Sequence, residues 1–178
     1  GFLNESHSSD PEISRVVHDS RSVQQGDLFC CVPGLVHDGH EFVLDAIKAG
    51  AAAVLSERFL DVGVPLIETT SARKSLALLS SFRAGNPSRD LEVVGVTGTN
   101  GKTSVIYLLE QILSRAGQAV ESSGTLTGER TTPEAPDLQN RLALWRDNGI
   151  DSVVMEVSSH ALSQHRVDGT EFSAVAFT

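Results

Sequence analysis

The residues with the clearest capacity for chemistry are Gly98, Thr99, Asn100, Gly101, Lys102, Thr103 and Ser104, which follow an apolar run and open a helix-like pattern. Glycines let the backbone approach an anion with its N–H groups turned inward. A following helix N-terminus adds positive potential, and an ammonium supplies a point charge. In that arrangement Lys102 reaches the β- and γ-phosphates of a nucleotide, and Thr103 offers its hydroxyl to Mg²⁺. The strict phosphate-loop spacing wants glycine where Val96 stands, so the match is to Gly-Lys-Thr with Gly98 in the loop. The competing reading is an ordinary glycine-rich turn with a solvated lysine; the buried-type strand before it and the helical pattern after it favour nucleotide binding.

Three further groups could act with this loop. Glu156 stands at the carboxyl end of the apolar run 150–157. Open α/β sheets bind ligands beyond the carboxyl ends of their strands, so this carboxylate faces the same crevice as the loop and can hold Mg²⁺ against the phosphates. Asp19-Ser20-Arg21 offers a carboxylate, a hydroxyl and a planar cation, enough to hold a phosphate or sugar hydroxyl. Three residues alone read more simply as a turn with a surface ion pair. Thr131-Thr132-Pro133-Glu134 places two hydroxyls where they can cap the helix that follows, with Glu134 and Asp137 in its first turn.

The elements that must position these groups alternate between strand and helix. Residues 13–18, 28–32, 53–55 and 64–67 read as strands, with a helix over 41–49 stopped at Gly50 and another capped by Ser71. Residues 85–88, Gly-Asn-Pro-Ser, mark a boundary. We therefore expect an N-terminal α/β domain over residues 1–88 and, over 89–178, the first half of a phosphate-loop ATPase domain with a parallel sheet. In the second segment Val105, Leu108, Leu109, Ile112 and Leu113 form a stripe predicted to pack on the sheet. Strands near 119–120 and over 150–157 and 172–178 follow, with a loop over 122–136.

Composition limits the function. The formal charge of −9, from 23 acidic and 14 basic residues, disfavours nucleic acid and anionic membranes, so phosphate binding must come from a local site. No apolar stretch reaches membrane-span length, and the start lacks the order of a secretory signal; a cytoplasmic protein is the expectation. Cys30 and Cys31 are the only cysteines and, being adjacent in a strand, read as small core residues. His37 and His40 lack a metal-ligand arrangement and read as solvated loop histidines.

The motifs also carry a family likeness. Gly98-Thr99-Asn100-Gly101-Lys102-Thr103 resembles the ATP loop of the Mur ligases, which build the peptide of bacterial cell-wall precursors and tolerate a non-glycine where Val96 sits. Asp19-Ser20-Arg21, Gly26-Asp27-Leu28-Phe29 and Val32-Pro33-Gly34 with His37-Asp38-Gly39 are similar to the N-terminal domain of the member that adds the third residue of the stem peptide. The most specific match is Met155-Glu156-Val157-Ser158-Ser159-His160-Ala161-Leu162 followed by Gln164-His165-Arg166-Val167.

The resemblance implies an ATP- and Mg²⁺-dependent ligase acting on UDP-N-acetylmuramoyl-L-Ala-D-Glu and an amino acid, diaminopimelate or lysine. Lys102 and Glu156 would be its catalytic groups, and Thr103 with Glu156 its metal partners. His18 and Ser20 would contact the nucleotide of the UDP-sugar, with Leu35, Val36 and His37 on the far side of that pocket. Thr131, Thr132, Ser158, Gln164 and Arg166 would hold the muramoyl dipeptide. The family's third domain and the remainder of its ATPase domain have no counterpart here, so we expect this chain alone to make no tripeptide. A non-catalytic module that binds a UDP-sugar or nucleotide is the alternative reading.

Overall fold

The computed structural model describes residues 11–34, 37–124 and 131–178. The chain divides into two compact units, one ending at Leu76 and the other running Ala77–Thr178. The predicted Leu35 and Val36 contacts lie outside the described residues, as do positions 125–130 of the predicted loop.

In the first unit, strands β1 (Val16–Val17), β2 (Leu28–Cys30), β3 (Ala53–Ser56) and β4 (Leu66–Glu68) form a parallel sheet in the order β1-β2-β3-β4. The predicted 13–18 strand is thus reduced to two paired residues. Helix α1 (Val43–Lys48) connects β2 to β3 and ends before Gly50, whose φ of +112° suits glycine. Phe29, Cys31, Val43, Ala46 and Val54 close the core. Cys30 and Cys31 are wholly buried, as small core residues should be. Burial raises both thiol pKa values, that of Cys31 to about 12.

Helix α2 (Ala72–Arg83) starts as predicted, the Lys74 N–H donating to Ser71 Oγ at 3.3 Å.

The second unit contains β5 (Glu92–Thr97), α3 (Lys102–Arg115), β6 (Val120–Ser123), α4 (Ala135–Asp147), β7 (Ser152–Glu156), α5 (Ser159–Ser163) and β8 (Ala174–Phe177). Its sheet is parallel, in the order β6-β7-β5-β8. β7 is buried along its whole length, and its side chains alternate between two cores. Val153 and Met155 join Leu138 and Leu142 of α4, whereas Val154 joins Val96 and Ile106 of α3.

The predicted α3 stripe is corrected in part. Ile106 occupies the core with Val105, Leu109 and Leu113 around it, while Leu108 and Ile112 are more than half exposed. The face centred on residues 102, 106, 109 and 113 meets the sheet, and 108 and 112 fall on the next stripe.

Candidate functional site

The site is built at the carboxyl ends of β5 and β7. These neighbours pair with Val96 opposite Glu156, so the carboxylate lies beside the point where β5 becomes the glycine loop. Gly98 (φ +130°) and Gly101 (φ +82°) provide the left-handed turns that bring the chain round into α3. A Cβ on Gly98 would collide with the Thr178 carbonyl oxygen, so nothing larger fits there. Thr178 itself braces the loop, its hydroxyl donating to the Asn100 carbonyl at 2.6 Å, a role with no motif to announce it.

Val96 explains the departure from the strict spacing. It is the last fully buried residue of β5, packed with Ile106 and Val154, and the turn begins only after Thr97. Val96→Gly restores the nominal motif but removes buried apolar surface, so we expect a loss of about 2 kcal/mol in stability by urea unfolding. A variant as stable as wild type would refute that packing account.

Lys102 opens α3, and its Nζ donates to the carbonyl oxygens of Gly98 (2.9 Å) and Thr99 (3.4 Å), across the mouth of the loop. Thr103 Oγ1 donates to Glu156 Oε1 at 2.7 Å, and Glu156 is only 2% exposed. Gly124, after β6, closes on the same carboxylate: a Cβ there would lie 2.7 Å from Glu156 Cγ and 2.8 Å from Oε1. The sequence offered no signal for this contact.

Thr132 is not the helix cap expected of it. Glu134 is the N-cap residue of α4 and makes no side-chain cap bond. The Thr132 hydroxyl instead donates to the Glu156 carbonyl (2.9 Å) and accepts from the Ser158 N–H (3.2 Å). The main-chain polar groups at the end of β7 compete for the hydroxyl and win over the local cap. Arg166 donates through Nη1 to the Thr132 carbonyl (3.0 Å) and through Nη2 pairs with Glu134 (2.6 Å). Ser158 Oγ caps α5, accepting from the Ala161 N–H at 3.1 Å. Thr103, Glu156, Thr132, Ser158 and Arg166 therefore form one connected set; Thr131 and Gln164 are half-buried, and Ser104 lies on the exposed side of α3.

In the first unit, Asp19 caps the 3-10 turn Ser20–Ser22 and accepts from both Arg21 Nε (2.9 Å) and Nη2 (2.7 Å). The local ion pair read from the sequence is present, and Ser20 and His18 beside it are half-buried. Hydrogen bonding from the Arg21 side chain lowers the Asp19 pKa to about 2 from 3.8. A depressed folded-state pKa gives stability that is present above the unfolded value and lost as pH falls through the folded one. The stability difference between wild type and Asp19→Asn should thus shrink as pH falls from 3.8 to about 2. Unfolding midpoints across that window check this, and a constant difference would contradict it.

His37 is exposed and meets the Phe42 ring edge-on at 6.1 Å. His40 corrects the expectation of a solvated histidine: its side chain is 4% exposed, Nδ1 faces Asp38 Oδ1, and Nε2 lies 2.9 Å from Ser56 Oγ. The Asp-His-Ser order is not a nucleophile relay, because the Ser56 hydroxyl donates to the Arg58 carbonyl at 2.6 Å and is wholly buried.

A parallel sheet whose first strand runs through a glycine turn into a helix headed by Lys-Thr, with a carboxylate on the adjoining strand end, is the arrangement of a phosphate-loop α/β protein. Two sequence patterns extend that class to a family. The Mur ligase middle domain matches residues 96–178, and the pattern described as Mur ligase family, catalytic domain, matches residues 12–86. The chain belongs to the Mur ligase family.

Among curated relatives, the UDP-N-acetylmuramoyl-L-alanyl-D-glutamate–2,6-diaminopimelate ligase of Syntrophomonas wolfei is 47% identical over 180 aligned positions, covering 95% of this chain and 37% of the relative. The ligase of the same name from Bacillus licheniformis is 40% identical, over 95% of this chain and 36% of its own length. A solved structure of a ligase with that name superposes with a TM-score of 0.81 at 27% identity, over 93% of this chain and 36% of the other. MurF ligase from Thermotoga maritima in complex with ADP gives 0.60 at 28% identity, over 85% and 33%. The chain thus spans about a third of the length of the relatives it matches.

Proposed function

We propose that this chain carries the UDP-sugar-binding and ATP-binding parts of a UDP-N-acetylmuramoyl-tripeptide synthetase, acting in the cytoplasm. The first part spans residues 1–88 and the second 89–178. The enzyme joins an amino acid to the D-glutamyl carboxylate of UDP-N-acetylmuramoyl-L-Ala-D-Glu. The relatives' names supply 2,6-diaminopimelate as the amine. The observation that carries the reading is the bond from Thr103 to Glu156 at the β7 end, with Lys102 at the head of α3 reaching back to the glycine loop.

The carboxylate is a poor electrophile at neutral pH. Its oxygen attacks the γ-phosphorus of ATP, the bond to ADP breaks, and the acyl phosphate formed presents phosphate as leaving group. The amine nitrogen then bonds to the acyl carbon as phosphate departs, and the nitrogen's proton passes to solvent. Lys102 exchanges its loop carbonyls for phosphate oxygens, and the N–H groups of the loop and the first turn of α3, Gly98 to Ser104, orient the nucleotide. A hydroxyl and a buried carboxylate 2.7 Å apart are hard oxygen donors that suit Mg²⁺, so Thr103 and Glu156 would hold it, directly or through water. Bound there, the ion would neutralise charge on the transferred phosphoryl.

On the sugar side, His18, Ser20 and His37 contact the uridine diphosphate, together with Leu35 and Val36. Thr131, Thr132, Ser158, Gln164 and Arg166 face the dipeptide, Arg166 being suited to a carboxylate. Equilibrium titration of the chain with ATP and Mg²⁺ tests the nucleotide half. Saturable binding is expected, and a folded chain that binds no ATP would overturn it.

A further inference from the structure

We infer that Thr132 is a positioning residue for the Glu156 carboxylate, acting through the backbone of the β7 terminus; this rests on the proposed metal role of Glu156.

The argument begins with an unfinished ladder. β6 pairs with β7 only as far as Ser123 opposite Met155, one residue short of Glu156. On the other side the ladder continues, with the Val157 N–H donating to the Val96 carbonyl at 2.8 Å. The Glu156 carbonyl and the Ser158 N–H point away from β5, on the side where β6 pairs no further among the described residues. Thr132 is 1% exposed, and its hydroxyl takes both, donating to one at 2.9 Å and accepting from the other at 3.2 Å. One side chain therefore stands in for a strand partner where β6 stops.

The position matters because Glu156 is held from several directions at once. Thr103 fixes Oε1, the side chain fills the space that a Cβ on Gly124 would take, and Thr132 fixes the main chain from which the carboxylate projects. Thr132 is also the residue whose carbonyl Arg166 holds. The segment proposed to meet the dipeptide and the carboxylate proposed to meet the metal thus share one side chain. Whatever Thr132 presents to the dipeptide with its backbone, its hydroxyl is committed to β7.

Thr132→Val keeps the shape and removes the hydroxyl, whereas Thr132→Ser restores it. The readout is the factor by which Mg²⁺ strengthens ATP binding to this chain, measured by titration with Mg²⁺ and with EDTA. Groups that orient a metal ligand typically contribute 10- to 100-fold in metal affinity, so we expect the Mg²⁺ factor to fall about tenfold in Thr132→Val and to persist in Thr132→Ser. Thr132→Ala, expected to behave as Val does, carries the test should Thr132→Val not fold. An undiminished Mg²⁺ factor in both hydroxyl-free variants overturns the inference. So does equal weakening with and without Mg²⁺, which marks a merely structural role. A wild-type chain whose ATP binding ignores Mg²⁺ removes the metal reading of Glu156 and the inference together. Wild-type dependence that survives in Thr132→Val removes the inference alone.

Discussion

Lys102→Ala is expected to weaken ATP binding about a hundredfold while leaving affinity for the UDP-dipeptide as in wild type. Each hydrogen bond from a charged donor contributes ~1.5–3 kcal/mol, and two lost phosphate contacts give about 3 kcal/mol, or two orders of magnitude. The side chain is already poised at the loop mouth through Gly98 and Thr99, so little reorganisation offsets that loss. Its present partners are loop carbonyls, and the fold should tolerate the truncation. Paired titrations with ATP·Mg²⁺ and with the UDP-dipeptide test this. Equal losses for both ligands would contradict separate sites.

Phe29→Ala should cost about 4 kcal/mol, the range for removing a large aromatic from a closed core. Phe29 has no exposed surface and sits mid-strand in β2, paired to Val17 on one side and Val54 on the other. Its neighbours Val43, Ala46 and Val54 are themselves buried, which limits collapse into the cavity. Such a loss is a large share of the ~5–15 kcal/mol that stabilises a typical domain. Urea unfolding read on the first unit checks it. A change below about 1 kcal/mol would mean the core repacks freely, against the close packing argued for it.

Much of the site was legible because its signals are local or periodic. Gly101-Lys102-Thr103 announced a loop and a helix start, and the apolar run 150–157 put Glu156 at a strand end. The rule that ligands sit beyond strand ends then joined the two, and the Val96–Glu156 pairing provides that neighbourhood. Less was legible where several readings fit one stretch. Residues 105–109 are Val-Ile-Tyr-Leu-Leu, apolar at every position, so periodicity could not choose Ile106 over Leu108 for the core. Thr132 stood before a helix and read as its cap, while its actual partners lie 24 and 26 residues away. His40 read as solvated because nothing local foretells Ser56, 16 residues on. Long-range hydrogen bonds leave no pattern in a single sequence, and these are what hold the carboxylate and the loops in place.

The most direct test of the two-ligand account is calorimetric titration of this chain with UDP-N-acetylmuramoyl-L-Ala-D-Glu, with and without ATP and Mg²⁺. The account predicts saturable binding of the UDP-dipeptide in both conditions. A folded chain that releases no binding heat, at several temperatures, and gives no competition with UDP would contradict it.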